Sequence, residues 1–191
     1  MPRNVLLLLL DDDTTAGQVA ELAKRIGWKV EHARCVESGM SVTTKIATQD
    51  CNNPTTILVF VDLALALTNA DLRKLDKHLR VREGLLEKYL SQDALEDINV
   101  TNLEQIKEKL HTVDKSIRPL VSMDGGRKFL EENKEFVRAW KIVIFSECDQ
   151  VSLRKPITEM LGDGLIAWLH KTAPMEKIRS ILENNYTRGK Q

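Results

Sequence analysis

Four short apolar runs punctuate the chain, and each ends on polar side chains. Val5 to Leu10 runs into Asp11, Asp12 and Asp13. Ile57 to Val61 ends at Asp62, Ile142 to Phe145 at Ser146, and Leu165 to Leu169 at His170 and Lys171. Unbroken apolar runs of this length suit strands buried on both faces, as in a parallel sheet. Trp28 to Ala33 reads as a weaker strand, with Val30 its clearest apolar position. Helical spacing fills the intervals. Val19, Leu22, Ala23 and Ile26 share one face and Gly27 follows as a C-cap. A weaker helix is expected over Glu37 to Thr48, then turn chemistry at Cys51 to Pro54. Another helix carries Phe129, Leu130, Phe136 and Val137. Val151 to Leu161 is helical with Pro156 as a kink, and Met175 to Asn184 is the last helix, before a polar tail at Arg188 to Gln191. Five strands alternating with helices predict an α/β fold with a doubly wound parallel sheet.

The middle of the chain breaks this rhythm. From Asn69 to Ile117 there is no proline and one glycine, Gly84. Leu72, Leu75, Leu79, Leu86 and Leu90 fall near one helical face. Leu95, Ile98, Leu103, Ile106, Leu110, Val113 and Ile117 make a second stripe, with a capping box at Thr101 and Glu104. Two or three amphipathic helices are therefore inserted at about residues 64–122 into a single domain spanning 1–191. Their stripes suit packing against the domain or each other, with a homodimer or partner face as the lesser reading.

Composition narrows the function. The 191 residues are 42% hydrophobic and 29% charged, an ordinary globular balance. Lys+Arg and Asp+Glu are both 28, so the net charge is zero. A neutral chain lacks the basic surplus that broad nucleic-acid or anionic-membrane binding needs. The inserted segment is balanced too, with ten acids and ten bases between Ala64 and Ser122. The longest apolar run is too short to span a bilayer. Cys35, Cys51 and Cys148 show no metal-site spacing and suit reduced thiols, so the expected setting is the cytoplasm. His32, His78, His111 and His170 form no cluster in sequence.

Candidate chemistry lies at the strand ends, because open α/β sheets bind ligands beyond the carboxyl ends of their strands. If the sheet order brings the runs together, Asp11, Asp12 and Asp62 converge with Ser146 and Lys171. Crowded carboxylates repel, and a hard divalent cation such as Mg2+ relieves that repulsion through oxygen ligands. A lysine and a hydroxyl opposite them suit the oxygens of a phosphoryl group, and a remaining carboxylate can act as nucleophile.

The runs VLLLLLDDD, ILVFVDL, KIVIFS and GLIAWLHK, with Met123-Asp124-Gly125, resemble the receiver domain of two-component response regulators over roughly residues 4–63 and 123–185. The resemblance implies a flavodoxin-like five-stranded sheet of order 2-1-3-4-5, an order that comes from the resemblance and not from the spacing. It implies Asp62 as the phosphoacceptor and Asp11 with Asp12 as the acid pair for Mg2+, Asp13 being an alternative for one of them. The main-chain carbonyl of Ala64 becomes a further metal ligand. Ser146 and Lys171 would contact the phosphoryl oxygens, with Ser146 and Trp168 as switch residues. A histidine kinase or phosphotransfer protein is the implied donor. No output domain follows the last helix in this sequence, so output through an unidentified downstream protein is expected, with no enzyme activity beyond self-phosphorylation and self-dephosphorylation.

Several positions depart from that family. The Met-Pro pair usual shortly after the phosphoacceptor is absent, Asp62 being followed by Leu63, Ala64 and Leu65; Glu147 replaces a small residue, and Lys171 is followed by Thr172 rather than proline. They leave room for a receiver-fold interaction module that is never phosphorylated. A third reading is a phosphatase of the haloacid-dehalogenase type, because Asp11-x-Asp13-x-Thr15 fits that family's signature, with Lys155 and Gly162-Asp163 in later motifs. Gly162-Asp163 follows a helix rather than a strand, which counts against it.

Overall fold

A computed structural model describes residues 3–49, 55–93, 100–147 and 151–187. Five strands form one parallel sheet: β1 (Arg3–Leu9), β2 (Lys29–Ala33), β3 (Thr55–Val61), β4 (Lys141–Phe145) and β5 (Leu165–Leu169). Their order is β2-β1-β3-β4-β5, the flavodoxin-like arrangement. The chain reverses direction across the sheet beside β1, so a crevice opens between β1 and β3 at their carboxyl ends. Helices cover both faces. Leu7, Leu9, Val59, Val61 and Ile144 point into one core, and Leu6, Leu8, Leu58, Phe60 and Phe145 into the other. All ten are fully buried, which is why these strands lack the alternation of a half-exposed sheet.

Helix α1 (Asp13–Ile26) ends at Gly27, whose φ of 113° lies in the left-handed region. Its N–H caps the carbonyls of Ala23 and Lys24 and turns the chain into β2. Helix α2 (Val36–Gln49) matches the expected segment, and the turn at Cys51 to Pro54 lies outside the described residues. The inserted segment forms two long helices, α3 (Asn69–Asp93) and α4 (Val100–Ile117). Thr101 therefore lies inside α4 rather than at its cap, and Leu95 and Ile98 fall outside the described residues. Leu65 and Ser122 exchange backbone hydrogen bonds of 3.0 and 2.9 Å and pin the two ends of the insertion together.

The helix expected across Phe129 to Val137 is instead two, α5 (Gly125–Glu132) and α6 (Lys134–Val137). Asn133 breaks it. Its side-chain amide donates to the Phe129 carbonyl at 2.7 Å, so the side chain competes for a backbone acceptor. Helix α7 (Val151–Leu161) continues through Pro156, and α8 (Met175–Asn185) packs against α1. Among the described residues, no helix is long and apolar enough to cross a membrane.

Candidate functional site

Parallel pairing fixes where each strand lets go. Val61 pairs with Leu9, and the Asp62 N–H then donates to the Leu9 carbonyl at 2.9 Å, so Asp62 leaves the sheet at the crevice. Beside it, β4 ends at Ser146, whose N–H donates to the Leu169 carbonyl of β5 at 3.1 Å. Two residues later Lys171 reaches back across the ends of the strands. Its ammonium lies 2.6 Å from Asp62 Oδ2 and 2.8 Å from Asp11 Oδ1. The Ser146 hydroxyl donates to Asp62 Oδ1 at 2.7 Å, and the Ala64 N–H donates to the same oxygen at 3.2 Å. Asp11, Asp62, Ser146 and Lys171 are thus brought into one hydrogen-bonded group.

The heart of the group is dry, while the Asp11 side chain at its rim is 29% exposed. The Asp62 side chain is 2% exposed and that of Lys171 10%. Burial pushes the Asp62 carboxyl up from its ordinary value, the Lys171 ammonium opposes this, and the Asp11 carboxylate adds to it. For Lys171, burial favours the neutral amine, but Asp62 and Asp11 outweigh it and hold the ammonium well above its ordinary value. One ammonium faces two carboxylates, so a negative charge remains uncompensated.

The three successive aspartates go to three places. Asp11 points into the site. Asp12 is the N-cap of α1: its carboxylate accepts from the Thr14 N–H at 2.9 Å and from the Thr15 hydroxyl. Burial raises its pKa, but the bonds from Thr15 and Thr14 outweigh that and lower it. Asp13 opens α1 and lies 3.3 Å from Arg34 Nε. Leu10, which follows the Leu9–Val61 pair and so stands beside Asp62, is fully buried and brings no side-chain oxygen. Among the described residues, no group of three or more His, Cys, Asp or Glu side chains is spaced to hold a metal ion.

Two residues not among the sequence's site candidates shape the site. Arg34, just past β2, donates from Nε to the Asp11 carbonyl at 3.2 Å and makes a two-pronged pair with Asp76 of α3, at 2.7 and 3.1 Å. The first turns of the insertion are thereby tied to the acid loop. Gly126 is the second. A Cβ there would lie 2.1 Å from the Asp62 carbonyl oxygen, so only glycine lets the start of α5 close over the loop after β3. The Gly125-Gly126 pair was the available signal. Arg34 had none, because its partners lie 23 and 42 positions away.

Trp168 is half-buried on β5, with the Arg154 guanidinium 5.4 Å from its ring centre. Glu147 is exposed. Cys35 is buried, Cys51 and Cys148 lie outside the described residues, and His32 contacts the Leu10 carbonyl at 2.9 Å.

No protein-family model matches the chain. No curated protein sequence matches it either. Solved structures do. The signal receiver domain named for a Luxo repressor protein of Vibrio parahaemolyticus superposes with a TM-score of 0.51 at 12% identity, over 97% of this chain and 90% of that one. NtrX from Brucella abortus gives 0.50 at 12% identity, over 97% of this chain and 27% of that one. The chain has the fold of a response-regulator receiver domain.

Proposed function

We propose that this chain is a phosphorylation-controlled signalling switch that accepts a phosphoryl group on Asp62. The observation that supports it best is the Lys171 ammonium, 2.6 Å from a buried Asp62 whose other oxygen takes the Ser146 hydroxyl at 2.7 Å. A carboxylate so held has a cation and a donor ready for the charge that arrives with a phosphoryl group. In the proposed step an Asp62 oxygen attacks the phosphorus of a phosphohistidine on a histidine kinase or phosphotransfer protein. The O–P bond forms as the N–P bond breaks, and the departing imidazole takes a proton from solvent. Ser146 and Lys171 turn from the carboxylate onto the phosphoryl oxygens. That movement displaces the ends of β4 and β5, where Trp168 would report it.

The donor set fits Mg2+. Asp11, Asp62 and the Ala64 carbonyl are hard oxygen donors, and the site keeps an uncompensated negative charge. Mg2+ is commonly held by one or two carboxylates with water and phosphate completing the shell. Asp12 would join it by giving up its cap on α1. The metal, when bound, supplies positive charge against the phosphoryl oxygens. Output runs through protein contacts in the cytoplasm, not through nucleic acid or membrane, and the chemistry of the chain is limited to its own phosphorylation and dephosphorylation.

The second reading, a receiver-fold module that is never phosphorylated, is favoured by one observation: Lys171 already bonds both carboxylates, and Asp62 is closed to solvent. The phosphatase reading loses support because Asp163 lies before β5, at the amino ends of the strands and across the sheet from Asp11. Acetyl phosphate with Mg2+, followed by intact mass, separates these readings. The parent should gain one phosphoryl group and Asp62→Asn should not. No adduct on the parent favours the module. Hydrolysis of phosphate esters that needs Asp11 but not Asp62 favours the phosphatase.

A further inference from the structure

Asp11 is held from two sides. Its carboxylate meets the Lys171 ammonium at 2.8 Å, on the side of β5. Its main-chain carbonyl accepts from Arg34 Nε at 3.2 Å, on the side of β2. The acid loop hangs on the end of β2 at Leu10 as well. The Leu10 N–H donates to the Ala33 carbonyl at 3.1 Å, and His32 Nε2 lies 2.9 Å from the Leu10 carbonyl. Arg34 differs from these neighbours because its other end leaves the sheet. Nη1 and Nη2 donate to Asp76 Oδ2 and Oδ1 at 3.1 and 2.7 Å, while Nε also lies 3.3 Å from Asp13 Oδ1. One planar guanidinium thus has its Nε edge on the acid loop and its fork on α3.

The root of the insertion fixes where that fork points. Val36 and Glu37, which open α2, donate their N–H groups to the Ala66 and Leu67 carbonyls, both at 3.0 Å. The Asn69 N–H at the start of α3 donates to Glu37 Oε2 at 2.7 Å. Asn69 and Asp76 are seven residues apart, two turns along one helical face. The face of α3 that is pinned at Glu37 therefore presents Asp76 to Arg34. The pair is half-buried, with 27% of Arg34 and 31% of Asp76 exposed. A two-pronged guanidinium–carboxylate pair also fixes direction, which a single contact does not.

We propose that Arg34 is a positioning residue for Asp11, and that the hairpin acts on the acid loop through it. The effect on the loop follows from the contacts alone, and the effect on metal rests on the reading of Asp11 as a Mg2+ ligand. Mg2+ would take the Asp11 carboxylate from Lys171, whereas the Arg34 bond to the Asp11 carbonyl does not depend on that exchange. Arg34 keeps the loop in place while the carboxylate changes partner. Coupling is reciprocal, so a shift of α3 that draws Asp76 away loosens Asp11, and Mg2+ at Asp11 steadies α3. Charge alone has the opposite sign. A guanidinium beside a cation site repels the metal. Acting only as a charge, Arg34 would hold Mg2+ off, so Arg34→Gln would tighten binding and Arg34→Lys would leave it unchanged. Acting by position, both variants weaken it, because an ammonium lacks the fork that spans Asp11 and Asp76.

Amide nitrogen–proton NMR spectra of the full, unphosphorylated chain test this, with far-UV circular dichroism to confirm folding. The Asp12 amide shares its peptide unit with the Asp11 carbonyl and so reports the Arg34 bond. Without metal, Asp76→Ala should move the Asp12 resonance in the direction that Arg34→Gln moves it. It should add nothing once Arg34→Gln is in place. In a titration with MgCl2, Arg34→Lys and Arg34→Gln should each weaken binding on the order of tenfold. An Asp12 resonance that Asp76→Ala leaves in place overturns the proposal, even if the Arg34 variants fail to fold. So does Mg2+ binding that Arg34→Lys leaves unchanged or Arg34→Gln tightens. A parent spectrum that MgCl2 does not change overturns the Mg2+ reading of the site instead, and the metal-free comparison then decides the role of Arg34 by itself.

Discussion

At the carboxyl ends of the strands, a buried carboxylate, an ammonium and a hydroxyl, joined by a second carboxylate that is 29% exposed, are fixed by long-range pairing. In the hairpin, helices of 25 and 18 residues bury two apolar side chains among the described residues, and the charges stay on the surface. Both regions hold ion pairs, yet the pairs mean different things. Lys171 compensates the Asp62 charge, which is 2% exposed, so its removal leaves a cost inside the protein. Arg82 and Asp114 are 41 and 47% exposed, and water would replace either one. The site is therefore sensitive to substitution, whereas the hairpin tolerates change at its surface.

The largest expected effect comes from breaking the buried pair. Lys171→Met leaves the Asp11 and Asp62 carboxylates facing each other, and should lower stability by about 3–5 kcal/mol at neutral pH. The loss should shrink in acid. Without the ammonium the folded-state pKa of Asp62 rises further, so the folded form binds a proton more tightly than the unfolded one. The stability so gained is full below the unfolded pKa and disappears as pH rises through the folded one. Urea midpoints at pH 7 and pH 5 measure this, and a loss equal at both would break the account of the site.

Next comes the contrast in packing. Leu58→Ala, at a fully buried position of β3, should cost about 2–5 kcal/mol, and Leu79→Ala, at 37% exposure, under about 1 kcal/mol in the monomer. Urea unfolding at a concentration low enough to hold the chain monomeric compares them. Equal costs would mean that the hairpin is as tightly packed as the sheet.

The smallest effects separate the three aspartates. Asp12→Ala should cost about 1 kcal/mol through the lost cap on α1, whereas Asp12→Asn, which keeps an acceptor, should cost little. Mg2+ should raise the melting temperature of the parent. Asp11→Asn should abolish that rise and Asp12→Asn should only reduce it. The reverse order would make Asp12 the principal ligand.

These distinctions follow what a sequence can encode locally. The strands were legible because burial on both faces writes itself as unbroken apolar runs, and the polar residue after each run marks the edge of the sheet. That placed Asp11, Asp62, Ser146 and Lys171. Which way each of Asp11, Asp12 and Asp13 turns was not legible, because it depends on where β1 ends and α1 begins, to a single residue. Arg34 was invisible for another reason: its link to Asp76 joins the insertion to the acid loop only in space. The two stripes of the hairpin gave its helices, but not their bounds, since the capping box at Thr101 lies inside α4. Asn133 splits α5 from α6 by a side-chain bond that apolar spacing does not record.

The most direct test of the switch is chemical trapping of the acyl phosphate. The chain is treated with acetyl phosphate and Mg2+, reduced with borohydride, digested and sequenced by mass spectrometry. An acyl phosphate at residue 62 is reduced by hydride to the alcohol, so homoserine should replace Asp62, and only when both phosphate donor and Mg2+ were present. Unmodified aspartate at 62, or homoserine at residue 11 instead, would contradict the assignment of Asp62 as phosphoacceptor.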